Sequence, residues 1–330
     1  MMNCTLCSKE LCYGKKKRDL DVCTKKAPEL HFQKLTMADQ KALEPYFSLR
    51  PNKICDSSFL DVFLWSRSNR LEYCLIEGEA ILWKMELDGE IYTVMPSCRE
   101  EDLPYYFHLV RNYFNKELNC PVRIFLADEE AVEYLGLRDD PYYQISEQED
   151  LKDYLYDAEK LRTLSGRAYH KKKNLVNKFK KQYEGRWEYR SLSENDAEEI
   201  KVFLENWYIS QNSEEEGLDK EKEGIWDVLN NPIVPEIRMG AIYVDGRMEA
   251  FSMGNYNDLE EMAFICVEKA NSQIPGLYQA INQQFAEHEF PQARVINRED
   301  DVGLEGLRKA KLSYNPIGYA KKYKIVQSLY

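Results

Sequence analysis

The chain has 330 residues, of which 44% are hydrophobic and 31% charged, and its formal net charge is −12. These proportions are typical of a globular protein and exclude wholesale disorder, and the length is enough for about two domains. No apolar run reaches the roughly 18 residues of a membrane span, and residues 1–21 lack the apolar core of a signal peptide. We therefore expect a soluble, cytoplasmic protein.

The motifs that are missing exclude several enzyme classes. The four histidines lie far apart in the sequence, and none belongs to an HExxH pair. Four widely separated histidines do not indicate a histidine metal centre or a Ser/His/Asp triad. The sequence also has no GxSxG, GxxxxGK[ST] or GxGxxG motif. The acidic net charge argues against a protein coated in nucleic acid.

The nine cysteines fall into two groups. Five are scattered singly, and we interpret them as small buried hydrophobes in a reducing compartment. The other four crowd the N-terminus, at Cys4, Cys7, Cys12 and Cys23. Their spacing is irregular for a zinc site, so we expect no metal and a tail over residues 1–28, with zinc binding as the alternative.

Hydrophobic periodicity predicts two helices, three strands, a helix, a strand, a helix and a strand in the first half of the chain. These elements are predicted at residues 39–47, 58–66, 72–77, 80–86, 90–95, 103–118, 122–126, 129–135 and 142–145. Gly78 and the pair Asp88 and Gly89 lie between the strands, where tight hairpins need such residues.

The second half begins with a strand and then repeats the same order of elements. They are predicted at residues 187–190, 193–209, 216–229, 237–244, 248–255, 259–267, 277–288, 294–296, 304–312 and 318–326. Ser193 and Asp196 form a capping box at the start of the first helix. The repetition indicates an α/β protein with mixed sheets, built from two copies of one unit at residues 29–155 and 156–330.

This order resembles the N-acetyltransferase (GNAT) fold. The resemblance implies that the strands at 259–267 and 294–296 splay apart and that the acyl donor lies between them. In CoA-using members the loop after the first of these strands reads (Gln/Arg)-x-x-Gly-x-(Gly/Ala), and its N–H groups bind the pyrophosphate. Gln273 and Gly276 match and are candidate cofactor-binding residues, but Pro275 lacks an N–H and Tyr278 replaces the small residue. We expect no cofactor, with CoA as the alternative.

Four segments carry a closer resemblance. They are residues 164–179 (LSGRAYHKKKNLVNKF), 267–271 (VEKAN), 296–301 (INREDD) and 306–316 (GLRKAKLSYNP). Together they resemble soluble relatives of the C-terminal domain of phosphatidylglycerol lysyltransferases, which have tandem GNAT folds and are related to the FemABX peptidyltransferases. The resemblance implies an acyl- or aminoacyl-transferase, with aminoacyl-tRNA as the donor and an anionic lipid or a small molecule as the acceptor.

A basic helix is predicted at residues 166–183, joining the two units. Residues 160–190 contain eleven lysines and arginines but only two acids, in a chain that is acidic overall. Lys173 and Asn174 fall on the polar face of the helix, whereas Lys172 falls on the apolar face. The polar face is interpreted either as a solvated surface or as a binding site for phosphate or RNA. Lys172 either snorkels or points into a site.

The candidate site lies where the two central strands end, because α/β folds bind ligands beyond strand carboxyl ends. Glu268 is the candidate base, and pairing with Lys269 or Arg298 is its structural alternative. Arg308 and Lys311 share a helical face and bind either an anion or the nearby acids. The candidate catalytic residues are Glu268, Asp300 and Lys311, and the candidate substrate-binding residues are Lys172, Lys173, Asn174, Asn297, Arg298, Glu299, Arg308 and Tyr314.

Two functions stay open at this point. The first is aminoacyl transfer from aminoacyl-tRNA to a lipid or small-molecule acceptor. The alternative is a CoA-dependent N-acetyltransferase, or a non-catalytic tandem GNAT protein that binds an anionic ligand. Either transfer reaction proceeds by direct attack of the acceptor, so no nucleophilic cysteine or serine is required.

Overall fold

The computed structural model describes residues 28–211, 216–231 and 236–328. Cys4, Cys7, Cys12 and Cys23 lie outside these ranges. The described helices are α1 (Gln40–Phe47), α2 (Phe59–Ser66), α3 (Leu103–Lys116), α4 (Glu129–Tyr134), α5 (Ala158–Thr163), α6 (His170–Gln182), α7 (Ala197–Ser210), α8 (Glu216–Leu229), α9 (Leu277–His288) and α10 (Glu305–Leu312).

The described strands form three sheets. They are β1 (Gln33–Lys34), β2 (Glu72–Ile76), β3 (Ala80–Leu87), β4 (Glu90–Tyr92), β5 (Ser97–Cys98), β6 (Arg123–Asp128), β7 (Tyr143–Glu147), β8 (Asp153–Asp157), β9 (Trp187–Leu192), β10 (Arg238–Val244), β11 (Arg247–Asn257), β12 (Met262–Ala270), β13 (Val295–Asn297), β14 (Gly318–Ala320) and β15 (Lys322–Gln327).

The largest sheet has seven strands in the order β14-β8-β13-β12-β11-β10-β9. Its central strands β12 and β13 are parallel and pair over three residues only, the last pair being Phe264 with Asn297. β12 then continues to Ala270 without β13 beside it, so a gap opens between the two strands. The mixed α/β fold is therefore confirmed, and the pairing of the two central strands ends where the splay is predicted.

Two strands cross between the predicted units. β8 lies in the seven-stranded sheet and straddles the predicted boundary at residues 155 and 156. The segment 318–326, predicted as one strand, is interrupted at Lys321: β14 pairs with β8, whereas β15 lies between β6 and β7. The division at 155 and 156 stays a prediction, but the sheets hold the two halves together across it.

One apolar core spans both halves of the chain. It contains side chains of α2, β2 and β3 together with side chains of α7, α8, β10 and β11. α2 and α8 approach so closely that a Cβ atom at Gly224 would lie 2.0 Å from the carbonyl oxygen of Leu64. Only glycine permits this contact.

The basic helix begins later than predicted. A 3₁₀ turn at Arg167–Tyr169 precedes α6, and only Val176 and Phe179 of α6 are buried. The lysines at 171, 173, 178 and 181 are exposed. The basic face of this helix is therefore accessible.

Candidate functional site

An ion pair bridges the gap between the two splayed strands. Arg298, which directly follows β13, donates from Nη2 to Oε1 of Glu268 on β12 at 2.8 Å. Asn282 of α9 donates to the other carboxylate oxygen of Glu268 at 2.9 Å. The alternative interpretation of Glu268, pairing with Arg298, is therefore the observed contact.

Lys172 and Tyr314 complete this group. The ammonium of Lys172 lies 4.1 Å from the centroid of the Tyr314 ring, and the guanidinium of Arg298 lies 4.8 Å from the same centroid. Burial and the nearby Arg298 lower the pKa of Lys172. Lys172 thus points into the predicted site, and we call Lys172, Glu268, Asn282, Arg298 and Tyr314 the Arg298 cluster.

The Arg298 cluster contains two buried polar atoms without partners. Nη1 of Arg298 and Oδ1 of Asn282 find no hydrogen-bond partner among the described residues. A buried polar atom left unpaired costs about 1–3 kcal/mol, so such atoms are normally satisfied by water or by a ligand. The cluster therefore offers one strong donor and one acceptor to a polar ligand.

A second buried group surrounds the ammonium of Lys322, on β15. Nζ of Lys322 lies 2.6 Å from Asp56, 2.7 Å from Asp153 and 3.8 Å from Asp300. Its distance to Sγ of Cys55 is 3.3 Å. We call Cys55, Asp56, Asp153, Asp300 and Lys322 the Lys322 cluster.

Asn297 ties this cluster to the end of β13. Its side-chain amide donates to Asp153 at 2.9 Å and to the carbonyl oxygen of Lys53 at 2.8 Å. Asn297 is fully buried. The contacts give Asn297 a structural role at the predicted place, and its substrate-binding role stays a prediction.

Asp300 is the carboxyl best suited to take a proton near neutral pH. Burial raises its pKa to about 6, although the Lys322 ammonium acts in the opposite direction. A general base works best when its pKa lies near the working pH. Asp300 therefore has an acidity suited to a general base, whereas Glu268, the residue predicted as the base, is held by Arg298.

Two further carboxyls and a thiol lie next to these clusters. Ligand atoms of Asp61, Cys266 and Glu299 all lie within 4.8 Å of one another, which is the arrangement of a possible metal site. Burial raises the pKa of both carboxyls; the nearby Asp56 adds to the increase at Asp61, and Asp61 adds to the increase at Glu299. Both shifts favour the neutral form of these carboxyls.

Lys311 holds the loop that carries the site. Its buried ammonium donates to the carbonyl oxygen of Arg298 at 2.5 Å and also to that of Asp300. Burial lowers the pKa of Lys311. These contacts fix the backbone between the two clusters, and the predicted catalytic role of Lys311 stays a prediction.

Arg308 pairs with acidic side chains, which was the predicted alternative to binding an anion. It donates to both carboxylate oxygens of Asp301, at 2.8 and 2.6 Å, and to Asp150 at 2.6 Å. Burial acts to raise the pKa of Asp301, but hydrogen bonds from Arg308 and Tyr154 outweigh it and lower the pKa to about 2. Lys173 and Asn174 are exposed on α6 and belong to neither cluster.

The loop that resembles a CoA site fits a pyrophosphate poorly. Gly276 has a φ of +87°, and a Cβ atom there would lie 2.4 Å from the carbonyl oxygen of Leu175 in α6. The hydroxyl of Tyr278 accepts a hydrogen bond from the indole of Trp207. Gly276 thus permits close packing of α6, and Gln273, which is exposed, lies on the same loop.

This packing gives a testable prediction. Gly276→Ala is expected to lower the free energy of unfolding by about 1–3 kcal/mol, because alanine is strained at this φ and its Cβ meets a carbonyl. The matched control is Gly306→Ala on α10, where no atom lies within 4 Å of the new Cβ. That change should stabilise the protein by about 0.5–1 kcal/mol. Urea unfolding measures both, and a Gly276→Ala protein as stable as the native one would contradict the packing.

In the first half, the corresponding strand ends lie beside a buried ion pair and a small pocket that Val94, Leu126 and Asp128 line. Thr93 and Ile124 form a single parallel bridge there. Arg50 donates to both carboxylate oxygens of the buried Asp128, at 2.8 and 2.6 Å. In contrast to Arg298, neither Arg50 nor Asp128 has a buried polar atom without a partner.

Sequence reasoning missed several residues of the site: Asp56, Asp61, Asp153, Asn282 and Lys322. Asp61 could have been noticed in the sequence, because it is an acid inside the mainly apolar helix α2. Nothing in the sequence distinguishes Lys322 or Asp153, because polar residues are ordinary at strand ends. Their partners are far away in the sequence.

The parallel central strands β12 and β13, the end of their pairing after three residues and the polar cluster beyond it define a GNAT-type fold. Residues 47–326 match the sequence model of the family described as phosphatidylglycerol lysyltransferase, C-terminal. Because this match covers most of the chain, the protein belongs to that family.

Solved structures agree with this assignment. A conserved protein of unknown function from Bacteroides thetaiotaomicron has a TM-score of 0.83 and 25% identity, over 91% of this chain and 100% of that one. L-PGS from Bacillus licheniformis has a TM-score of 0.63 and 15% identity, over 88% and 92% of the two chains. FemX has a TM-score of 0.56 and 8% identity, over 91% and 98%. The last two show the fold alone.

A curated relative matches part of the chain. An uncharacterized protein of Mycoplasmoides gallisepticum is 25% identical over 177 residues, which is 53% of this chain and 56% of that protein. The match thus spans about half the length of the relative. In the parts of the chain that the structure describes, no helix has both the length and the apolar character needed to cross a membrane.

Proposed function

We propose that the protein transfers an aminoacyl group from aminoacyl-tRNA to a hydroxyl or amine of an acceptor, in the gap between β12 and β13. The observation that carries this proposal is the unpartnered donor and acceptor of the Arg298 cluster. An aminoacyl ester has a carbonyl oxygen that accepts from Arg298 and an α-amino group that donates to Asn282. The ligand thus satisfies both buried atoms.

The chemistry is a direct displacement on the ester. The acceptor oxygen or nitrogen attacks the ester carbonyl while Asp300 takes its proton, and the negative charge that develops on the carbonyl oxygen is stabilised by Arg298. The ester bond then breaks, and the ribose hydroxyl leaves after taking a proton back. Arg298 and Asp300 lie on one loop, which Lys311 holds by its two carbonyl contacts.

The basic face of α6 supports an RNA donor. Its exposed lysines lie on the same helix as Lys172, whose ammonium reaches the Arg298 cluster. A nucleic acid that follows this face would bring its 3′ end to the gap. The lysines then bind phosphates, while the aminoacyl group enters the cluster.

Charge reversal on α6 tests the donor. Lys171→Glu combined with Lys173→Glu is expected to weaken binding of charged tRNA at least about tenfold and to reduce the salt slope of log K by about 2. The matched control reverses two exposed lysines of the first half, Lys34 and Lys41, and should bind as the native protein does. Filter binding at several salt concentrations measures both.

The CoA alternative predicts a different result. Calorimetry would then show micromolar CoA affinity, and binding of charged tRNA would be negligible and independent of salt. That pair of results would replace the proposed function. Binding of an anionic small molecule without transfer activity would instead support the non-catalytic form of the alternative.

A further inference from the structure

A thiol and two carboxyls from three separate elements meet beside the candidate site. Cys266 lies on β12, Asp61 on α2 and Glu299 on the loop after β13, and we call these three residues the Cys266 group. One ligand atom of each lies within 4.8 Å of the other two. In a tetrahedral zinc site such atoms lie about 3.5 Å apart, so the side chains need to close by only about 1 Å.

Cys266 occupies a β-bulge. In the register of β11 with β12, Met253 pairs with Val267 and Gly254 pairs with Ile265, so Cys266 has no residue opposite it. A bulge re-aims a side chain, and bulges are frequent next to functional sites. Cys266 also lies beyond the last residue of β12 that pairs with β13. It therefore belongs to the stretch of β12 that β13 does not cover.

The two carboxyls lack the donors that buried carboxylates normally have. Asp61 is 2% exposed, and among the described residues the polar partner of its carboxyl is Glu299, a second carboxyl. Oε1 of Glu299 is buried and finds no hydrogen-bond partner in the described part of the chain. Buried carboxylates are normally paired with a cation or coordinate a metal ion. A cation bound between the two side chains would satisfy both of them.

A second group of a thiol and two carboxyls is already occupied by a lysine. Cys55, Asp56 and Asp61 also have ligand atoms within 4.8 Å of one another. The ammonium of Lys322 lies 2.6 Å from Asp56 and 3.3 Å from Sγ of Cys55, so a metal ion there would be repelled by a buried positive charge. The Cys266 group keeps a buried carboxylate oxygen without a partner and is the one open to a cation.

The donor atoms select the kind of metal. One thiolate and two carboxylate oxygens suit zinc, whereas calcium and magnesium take oxygen ligands. Burial raises the pKa of the Cys266 thiol, so zinc must displace the thiol proton in order to bind. The nearby ammonium of Lys311 acts to lower the pKa of Glu299 and so favours the charged form that zinc requires.

We propose that Asp61, Cys266 and Glu299 bind a zinc ion. The thiol and the carboxyls release their protons to solvent as the ion binds, and the fourth position of the tetrahedron is left for water or a polar ligand. Because α2 belongs to the first half of the chain and β12 to the second, the ion joins the two halves. The inference does not depend on the proposed transfer reaction.

Zinc titration tests the site through binding alone. The N-terminal cysteines are an alternative zinc site, so every protein in the test is a full chain with serine at positions 4, 7, 12 and 23. This background protein should bind one equivalent of zinc in competition with a chromophoric chelator. Cys266→Ser should weaken the binding at least about 100-fold, because serine supplies no thiolate. The matched control is Cys74→Ser, which changes a free cysteine of β2 outside both groups and should bind like the background protein.

Cobalt binding and thermal unfolding provide two further measurements. Cobalt bound to a thiolate absorbs in the near ultraviolet, and this band should be lost in Cys266→Ser but kept in Cys74→Ser. Asp61→Asn removes one carboxylate ligand and keeps the shape of the side chain. Saturating zinc should raise the melting temperature of the background protein by about 3 °C or more, and that of Asp61→Asn by less than about 1 °C.

Three results would overturn the proposal. They are no zinc bound by the background protein, an unchanged zinc affinity after Cys266→Ser, or zinc binding that Cys55→Ser abolishes and Cys266→Ser does not. The last result would assign the ion to the group beside Lys322. None of these measurements uses aminoacyl-tRNA, so a protein that binds zinc but transfers nothing would contradict the proposed function and leave the zinc site in place.

Discussion

An Asp300→Asn protein is expected to transfer aminoacyl groups about 10²–10⁴-fold more slowly than the native protein while binding charged tRNA with unchanged affinity. Asparagine keeps the shape of the side chain but cannot take a proton from the acceptor. Single-turnover transfer from labelled aminoacyl-tRNA measures the rate, and filter binding measures the affinity. A native rate in this variant would remove Asp300 from the mechanism.

The pH dependence gives an independent check of the same residue. Because burial raises the pKa of Asp300 to about 6, the carboxyl is protonated below this pH and able to act as a base above it. The native rate should therefore rise as pH increases through about 6. In the matched control Asp301→Asn the midpoint should not move, because the pKa of Asp301 is about 2 and Asp301 does not titrate in this range.

Lys322→Met is expected to lower the free energy of unfolding by about 3–5 kcal/mol, because it leaves the buried carboxylates of Asp56 and Asp153 without their cation. Lys322 is 1% exposed. The two buried carboxylates then face each other without a counter-charge, and this is the source of the loss.

The adjacent residue provides the control for this change. Lys321 is 40% exposed and lies 3.4 Å from Glu147, so Lys321→Met should cost less than about 1 kcal/mol. Chemical denaturation of both variants separates buried from exposed charge. Equal losses for the two variants would show that the Lys322 cluster does not stabilise the fold.

Local signals in the sequence were sufficient for the order of most elements. Asp88 and Gly89, and likewise Asp245 and Gly246, have the positive φ values that a tight hairpin requires. The capping box of Ser193 and Asp196 is formed. The helix predicted at 277–288 has those bounds in the structure. Turn and capping chemistry depends on neighbouring residues, and for that reason it can be read without the fold.

Strand partners depend on distant residues and were not predicted. β8 is a short strand whose neighbours β13 and β14 come more than a hundred residues later. The break at Lys321 places β15 between β6 and β7, which no periodicity within 318–326 indicates. The Lys322 cluster depends on this position of β15, because β15 brings Lys322 to Asp56 and Asp153.

The candidate site was located in outline only. Glu268 and Arg298 were predicted near one another because they lie at the ends of the two central strands. Lys172 was predicted to reach them from the basic helix, and the structure brings the three together. Spacing alone could not distinguish a free base from a paired one, and Glu268 is paired. It also could not show that α9 supplies Asn282, because an asparagine within a helix carries no local mark of its function.

Comparison of charged with deacylated tRNA tests the central claim most directly. If the Arg298 cluster holds the aminoacyl group, the native protein should bind charged tRNA about tenfold more tightly than the same tRNA without its amino acid. Arg298→Lys, which keeps a cation for Glu268 but removes the free guanidinium donor, should abolish this difference while leaving the affinity for deacylated tRNA unchanged. Equal affinity of the native protein for the two tRNAs would contradict the assignment of the cluster.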